Sequence, residues 1–271
     1  MTNVKIFFYF MKNLCAVRFM LIAMAARELK ATYVGSFFGF SWAVLNPVCQ
    51  IAIYGVVFGI FMKGTAPPQY GTDSFFLYLV TGLIPWQFFA QTMFATTSVL
   101  LTHKNLVKRA AGFPCEVLPI VTVISNLVSQ LVSIALLFAI VIIFTHRASP
   151  SMLLVLIYVF FLVVILVGIG WVLSSLTVFL RDVPQVIALL LTGLFFFIPV
   201  VYSPTLVPKN ILFIMKLNPL YHIIEGYRLA CLGGRLLPLP DMAYLAVSSF
   251  VIFGLGGIFF RKLKPVFAEV I

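Results

Sequence analysis

The sequence predicts an all-α polytopic membrane protein with six transmembrane helices. An N-terminal amphipathic interfacial helix precedes them, and a re-entrant helix pair lies between spans 5 and 6. Three observations predict this. The 271 residues are 63% hydrophobic and 9% charged, with mean hydropathy +1.15, where a soluble domain needs far more polar surface. Several apolar runs reach the roughly 20 residues that cross a bilayer as helix. The charged residues sit between those runs, where a charge need not enter hydrocarbon. No polar block is long enough to fold as a soluble domain, so 1–271 reads as one transmembrane domain. It divides into an interfacial segment 1–40, six spans over 41–260 and a cytoplasmic tail 261–271.

Residues 1–34 mix apolar positions with Lys5, Lys12, Arg18, Arg27, Glu28 and Lys30, and no signal-peptide cleavage pattern follows. From Glu28 to Phe40 a helix would place Glu28, Thr32, Gly35, Ser36 and Gly39 on one side. Leu29, Tyr33, Phe37 and Phe40 would share the other, the pattern of a helix lying in the membrane interface. Span 1 is about 41–62, with Asn46-Pro47 near its start, where proline is best tolerated. A loop over 63–74 leads to span 2, about 75–101, with Pro85 as a kink.

Residues 105–119 carry Lys108, Arg109 and Glu116 and are broken by Gly112, Pro114 and Pro119. Such a segment cannot lie in lipid and must form a surface. Span 3 is about 120–144 and span 4 about 152–179. Arg181-Asp182 make a tight turn into span 5, about 183–201. Residues 202–241 hold five prolines and six charged residues yet stay apolar, too interrupted for a clean span. Asn218-Pro219 reads as N-cap and first helical residue, and Gly233-Gly234 as a stop. The segment is therefore two short helices joined near Asn218. Span 6 is about 242–260, with Gly254, Gly256 and Gly257 allowing close packing.

Six spans put both termini on one side. The N-terminal segment, the 102–119 loop, the 181–182 turn and the tail carry twice as many Lys and Arg as the opposite side. The positive-inside rule puts those segments and both termini in the cytoplasm. The net charge of +11 is assigned to topology and anionic headgroups, not to nucleic acid.

The chemistry absent from the sequence narrows the function. There is no phosphate-cradling G-x-x-x-x-G-K-[ST], no HExxH, CxxC or GxSxG, and the three histidines do not cluster. The cysteines lack metal spacing and read as unbridged. Gly168-x-Gly170 reads as helix packing, not a nucleotide fingerprint. No acid falls at a predicted mid-membrane position, which disfavours ion-coupled carriers and charged-filter channels. No catalytic residue, metal site or cofactor is expected on this chain. Trp42, Tyr54, Trp86, Phe88 and Phe89 fit either lipid packing or, as a group, a smooth conduit for a glycan.

Four segments together resemble the membrane subunit of ABC-2 type exporters of polysaccharides and polyol phosphates, the O-antigen, capsule and teichoic acid group. They are ARELKATYVGSFFGFSWAVLNP at 26–47, NLVKRAAGFPCEVLP at 105–119, RDVPQV at 181–186 and NPLYHIIEGYR at 218–228. Cys115 departs from the arginine often found before the glutamate in such exporters. The resemblance implies a homodimer in a bacterial cytoplasmic membrane with two copies of an ABC ATPase subunit, which binds ATP and Mg. It implies a polysaccharide carried on undecaprenyl pyrophosphate or another lipid.

By the same likeness, Asn105, Lys108, Arg109, Pro114 and Glu116 would couple to the ATPase. Arg27, Lys30, Tyr33 and Phe37 would lie where substrate comes in, and Trp42, Phe88 and Phe89 along the conduit. Tyr202, Asn218, Pro219, Glu225 and Arg228 would belong to an external gate, with Glu225 and Arg228 one turn apart and paired for structural reasons. The rival readings are an exporter of drugs or small lipids with the same fold, and a membrane glycolipid enzyme. The scattered, single acids Asp73, Asp182 and Asp241 disfavour the enzyme.

Overall fold

The computed structural model describes residues 18–57, 66–109, 113–146 and 149–270; the side chains of Tyr33, Phe40, Pro68, Arg109, Ala268 and Glu269 are also left aside. The expectations for the first 17 residues, the end of span 1, Lys63, Gly112 and Arg147 lie outside the described residues. The described residues are helical with short connections and contain no regular strand.

The chain runs through α1 (Arg18–Tyr33), α2 (Trp42–Tyr54), α3 (Phe75–Thr97), α4 (Val99–Thr102), α5 (Lys104–Arg109) and α6 (Val117–Thr145). It continues through α7 (Val155–Phe179), α8 (Val183–Phe197), α9 (Lys209–Lys216), α10 (Pro219–Cys231) and α11 (Leu239–Val270). Three helical stretches are long and apolar enough to cross a membrane: Val117–Thr145, Pro150–Phe179 and Leu239–Phe267. Trp42–Val57 and Val183–Phe197 are shorter apolar helices.

Helix α3 is the centre of the molecule, with 15 of its 23 residues buried. It packs on α6, α7, α8 and α10. Being wrapped by protein frees it from the demand for a wholly apolar surface, and it accommodates Pro85, Gln87 and Gln91. At the other extreme α8 buries only Ile187 and Leu191 and exposes Val186, Leu189, Leu190 and Phe196. Several hydroxyls within the apolar helices are satisfied locally. Thr81 donates to the Leu77 carbonyl at 2.9 Å, Ser175 to Trp171 at 2.7 Å and Thr177 to Leu173 at 2.8 Å.

Several predicted boundaries shift for clear reasons. The N-terminal helix is 18–33, not 28–40: Gly35 takes φ +83° and breaks the run, and a 3₁₀ turn at Gly39–Ser41 leads into α2. The tail is not separate, because α11 continues unbroken from Leu239 to Val270 through Pro265. Helix α8 stops at Phe197, so its 15 residues reach about 22 Å, short of the ~30 Å hydrocarbon core. The chain then runs irregularly past Pro199. Other signals hold. Asn218 Oδ1 accepts from the Leu220 N–H at 3.0 Å with Pro219 opening α10. That helix ends where the Arg235 N–H reaches the Leu229 carbonyl at 3.1 Å around Gly234 at φ +65°.

Helices α7 and α11 meet backbone to backbone. A Cβ on Gly256 would lie 2.1 Å from the Gly168 carbonyl oxygen, and one on Gly168 2.7 Å from the Ile252 carbonyl oxygen. Without a hydrophobic drive between helices in lipid, such close approach supplies the attraction. Gly254 on the same helix has open space around its Cα. Gly256→Leu and Gly168→Leu should therefore lose membrane-inserted, monodisperse protein in detergent, by about tenfold, while Gly254→Leu stays at wild-type yield. Equal yields for Gly256→Leu and Gly254→Leu would show that this contact does not hold the helices together.

Candidate functional site

One cavity of about 300 Å³ opens between α2, α3 and α6. Each helix contributes two carboxamides one turn apart: Asn46 and Gln50, Gln87 and Gln91, Asn126 and Gln130. Residues four apart share a helix face, so each pair points the same way. Trp42, Tyr54, Trp86 and Phe88 line the same space, and no Asp, Glu, Lys or Arg does among the described residues. Gln87 Nε2 and Asn126 Nδ2 are buried without a hydrogen-bond partner, each at a cost of about 1–3 kcal/mol. Gln130 Nε2 instead donates to the Tyr227 hydroxyl on α10 at 3.2 Å.

Of the aromatics expected along a conduit, Trp42 is partly exposed and lines the cavity, as does buried Phe88. Phe89 is buried and packs on Trp86, with ring centroids 5.9 Å apart. The carboxamide pairs were not among the residues singled out in the sequence, where acids and aromatics drew the search. Their signal was available as Asn/Gln at i and i+4 inside three otherwise apolar helices.

A second cluster surrounds Arg228, which is wholly buried. Its Nη1 donates to Glu225 Oε1 at 2.9 Å, and its Nη2 to the Pro199 and Val200 carbonyls, each at 2.8 Å. The guanidinium lies 3.8 Å from the Tyr78 ring centroid. The Tyr70 hydroxyl donates to Glu225 Oε2 at 2.6 Å, and the Tyr78 hydroxyl to the Tyr202 carbonyl at 2.8 Å. A Cβ on Gly82 would come within 2.8 Å of Arg228 Nη2, so α3 needs glycine there. Glu225 and Arg228 form the ion pair that their spacing suggested. Tyr202 sits at this cluster and sends its hydroxyl to the Phe196 and Phe197 carbonyls at 2.9 and 3.0 Å, closing the open end of α8. Asn218 and Pro219 are apart from it, at the start of α10.

The 105–119 segment is divided. Asn105, Leu106 and Lys108 are exposed on α5, Pro114 is half-buried, and the Arg109 side chain lies outside the described residues. Glu116 faces inward. It is buried and accepts from Lys264 Nζ of α11 at 2.6 Å, and its carbonyl accepts from Trp171 Nε1 of α7 at 2.9 Å. The start of α6 is thus clamped to α7 and to the C-terminal helix.

On α1, Arg27 and Lys30 are exposed, and Phe37 beyond it is the most exposed large apolar residue among the described residues, at 96%. Tyr33 ends the helix, its side chain outside the described set. Glu28 faces α6 and accepts from the Thr122 hydroxyl at 2.8 Å, its second oxygen buried and unpartnered. Burial pushes this carboxyl up from its ordinary value, opposed by the Thr122 hydrogen bond and the nearby His103. No group of His, Cys, Asp and Glu among the described residues could hold a metal.

The chain is similar to named transport proteins over nearly its whole length. It is 28% identical to the O-antigen export system permease protein RfbA of Klebsiella pneumoniae, over 93% of this chain and 95% of that protein. It is 27% identical to the RfbA protein of Myxococcus xanthus, over 96% and 98%. It is 23% identical to the polysialic acid transport protein KpsM of Escherichia coli, over 88% and 91%. The description of the ABC-2 type transporter family matches residues 20–232, from the first turn of α1 to the end of α10. Matched from α1 to the end of α10, the chain belongs to the ABC-2 type transporter family.

Proposed function

We propose that this chain is the membrane permease of an ATP-driven exporter that moves a lipid-linked polysaccharide, of O-antigen or capsule type, across a bacterial cytoplasmic membrane. The observation that carries this is its end-to-end likeness to export permeases whose names specify O-antigen and polysialic acid. An uncharged cavity lined by amides and indoles supports a sugar cargo over the rival drug or small-lipid cargo. Hydrolysis belongs to a separate ABC ATPase, since this chain has no phosphate loop. The working assembly is two copies of this chain with two ATPase subunits, which supply the bound ATP and Mg. The substrate is carried on undecaprenyl pyrophosphate or a comparable lipid.

The chain forms one transmembrane domain of six spans: 41–62, α3, α6, α7, α8 and α11. Helices α9 and α10 dip into the outer membrane edge and return as an external gate. Both termini and α5 are cytoplasmic, in line with the two-to-one excess of Lys and Arg on that side. Arg27 and Lys30, exposed on the interfacial helix α1, meet the substrate's pyrophosphate at headgroup level. The exposed face of α5, with Asn105 and Lys108, docks on the ATPase. Glu116 passes that contact inward through Lys264 and the Trp171 hydrogen bond rather than touching the ATPase itself.

Deleting the gene should remove the surface glycan and leave lipid-linked polymer inside the cell; surface glycan at the normal level would overturn the polysaccharide reading. In a cysteine-free background, cysteine at 106 should react only with reagent on the cytoplasmic side and cysteine at 210 only from outside. The reverse pattern would invert the topology. Glu116→Lys sets two ammonium groups together and should cut export at least tenfold. Adding Lys264→Glu should restore it to within about threefold. Failure of the swap to rescue, with both proteins inserted normally, would mean that Glu116 acts on another subunit.

A further inference from the structure

The carboxamide-lined cavity has a chemistry that selects among polymers. A carboxamide both donates and accepts hydrogen bonds, which is also the character of a sugar hydroxyl. A carboxylate only accepts and an ammonium only donates, and neither lines this space among the described residues. Each helix repeats its amide after one turn, about 6 Å along the axis, the scale of one sugar ring. Trp42 and Trp86 add flat apolar faces with a polar edge. Such groups are costly in an apolar bundle unless something pairs with them, and Gln87 Nε2 and Asn126 Nδ2 have no protein partner. A polyanion brought to the same place would lose its hydration and find no cation.

We propose that the three amide pairs, Asn46/Gln50, Gln87/Gln91 and Asn126/Gln130, form a ladder that binds uncharged, hydroxyl-rich sugar units and discriminates against polyanionic polymers. This rests on the polysaccharide-export reading and adds the substrate class. It separates this chain from the polysialic acid transport protein among its relatives, whose named cargo is acidic. Gln130 links the ladder to α10 through Tyr227, so occupancy of the cavity bears directly on the helix that holds Arg228.

The test uses the complete permease–ATPase complex in lipid nanodiscs, read by intrinsic tryptophan fluorescence. Trp42 and Trp86 line the cavity, while Trp171 is wholly buried elsewhere. Maltoheptaose, a neutral probe, should change the emission saturably, and the change should vanish in Trp42→Phe/Trp86→Phe. An oligosialic acid of equal length should give none at the same concentration. Gln87→Leu and Gln91→Leu should each weaken maltoheptaose binding about fivefold, whereas Gln69→Leu, outside the cavity, should not. Equal or tighter binding of the acidic probe, or no maltoheptaose response, would overturn the ladder. The wild-type preference decides even where a variant fails to fold. A complex whose deletion abolishes surface glycan yet which prefers the acidic probe refutes the ladder alone. Surface glycan that survives deletion refutes the reading beneath it.

Discussion

Arg228 is completely buried, and a guanidinium does not give up its proton, so the bundle must be built around a permanent charge. Burying an unpaired ion is far too costly, and here the charge is met from four directions. Glu225 supplies the counter-charge, Pro199 and Val200 supply carbonyls, and the Tyr78 ring covers one face. Those carbonyls are free only because α8 ends early, at Phe197. An irregular backbone in this setting is tolerable when protein groups satisfy it. The broken helix and the buried arginine therefore stabilise each other. Removing either partner of such a pair typically costs about 3–5 kcal/mol. The cluster also fixes α10 against α3, since Gly82 must stay small to admit the Arg228 side chain.

From this anchor the polar groups of the interior fall into two kinds. Most of those around Arg228, with Thr81 of α3 and Ser175 and Thr177 of α7, are paired within the protein and hold it in one arrangement, although Arg228 Nε and Thr92 Oγ1 have no hydrogen-bond partner among the described residues. The amides of the α2–α3–α6 cavity are only partly paired. Paired groups suit a rigid frame, and unpaired ones suit a site that something else completes. The Gln130–Tyr227 hydrogen bond joins the two sets, since Tyr227 is the residue next to Arg228 along α10.

Much of this was legible in the sequence because lipid allows few solutions. Apolar length located α6 and α7 closely and the middle of α11, and Asn218-Pro219 and Gly233-Gly234 marked α10. The pairing of Glu225 with Arg228 followed from their spacing. What escaped depended on tertiary neighbours. The helical continuation of α11 through Pro265 was hidden by its basic residues, which read as a loop until Lys264 found Glu116. The early end of α8 could not be seen without Arg228 to receive its carbonyls. The amide pairs were visible as a pattern, but only their convergence on one cavity gives the pattern meaning. Glycines divided in the same way: Gly256 and Gly254 are equivalent in sequence, and only packing against Gly168 distinguishes them.

The Glu116–Lys264 pair shapes how motion can pass through the protein. Glu116 stands at the N-cap of α6 yet offers its carboxylate to α11 instead of capping its own helix. Trp171 grips the carbonyl of the same residue from α7. Helix α7 in turn is locked to α11 by the Gly168–Gly256 contact. Three long helices thus share one residue at the base of α6, and a push there cannot move α6 alone. A displacement arriving through α5 would be distributed to α6, α7 and α11 together. Helices α2 and α8 have no part in this clamp, and α8 buries only Ile187 and Leu191. The fold therefore ties α6, α7 and α11 into one block, while α2 beside the cavity and the thinly buried α8 stand outside that clamp.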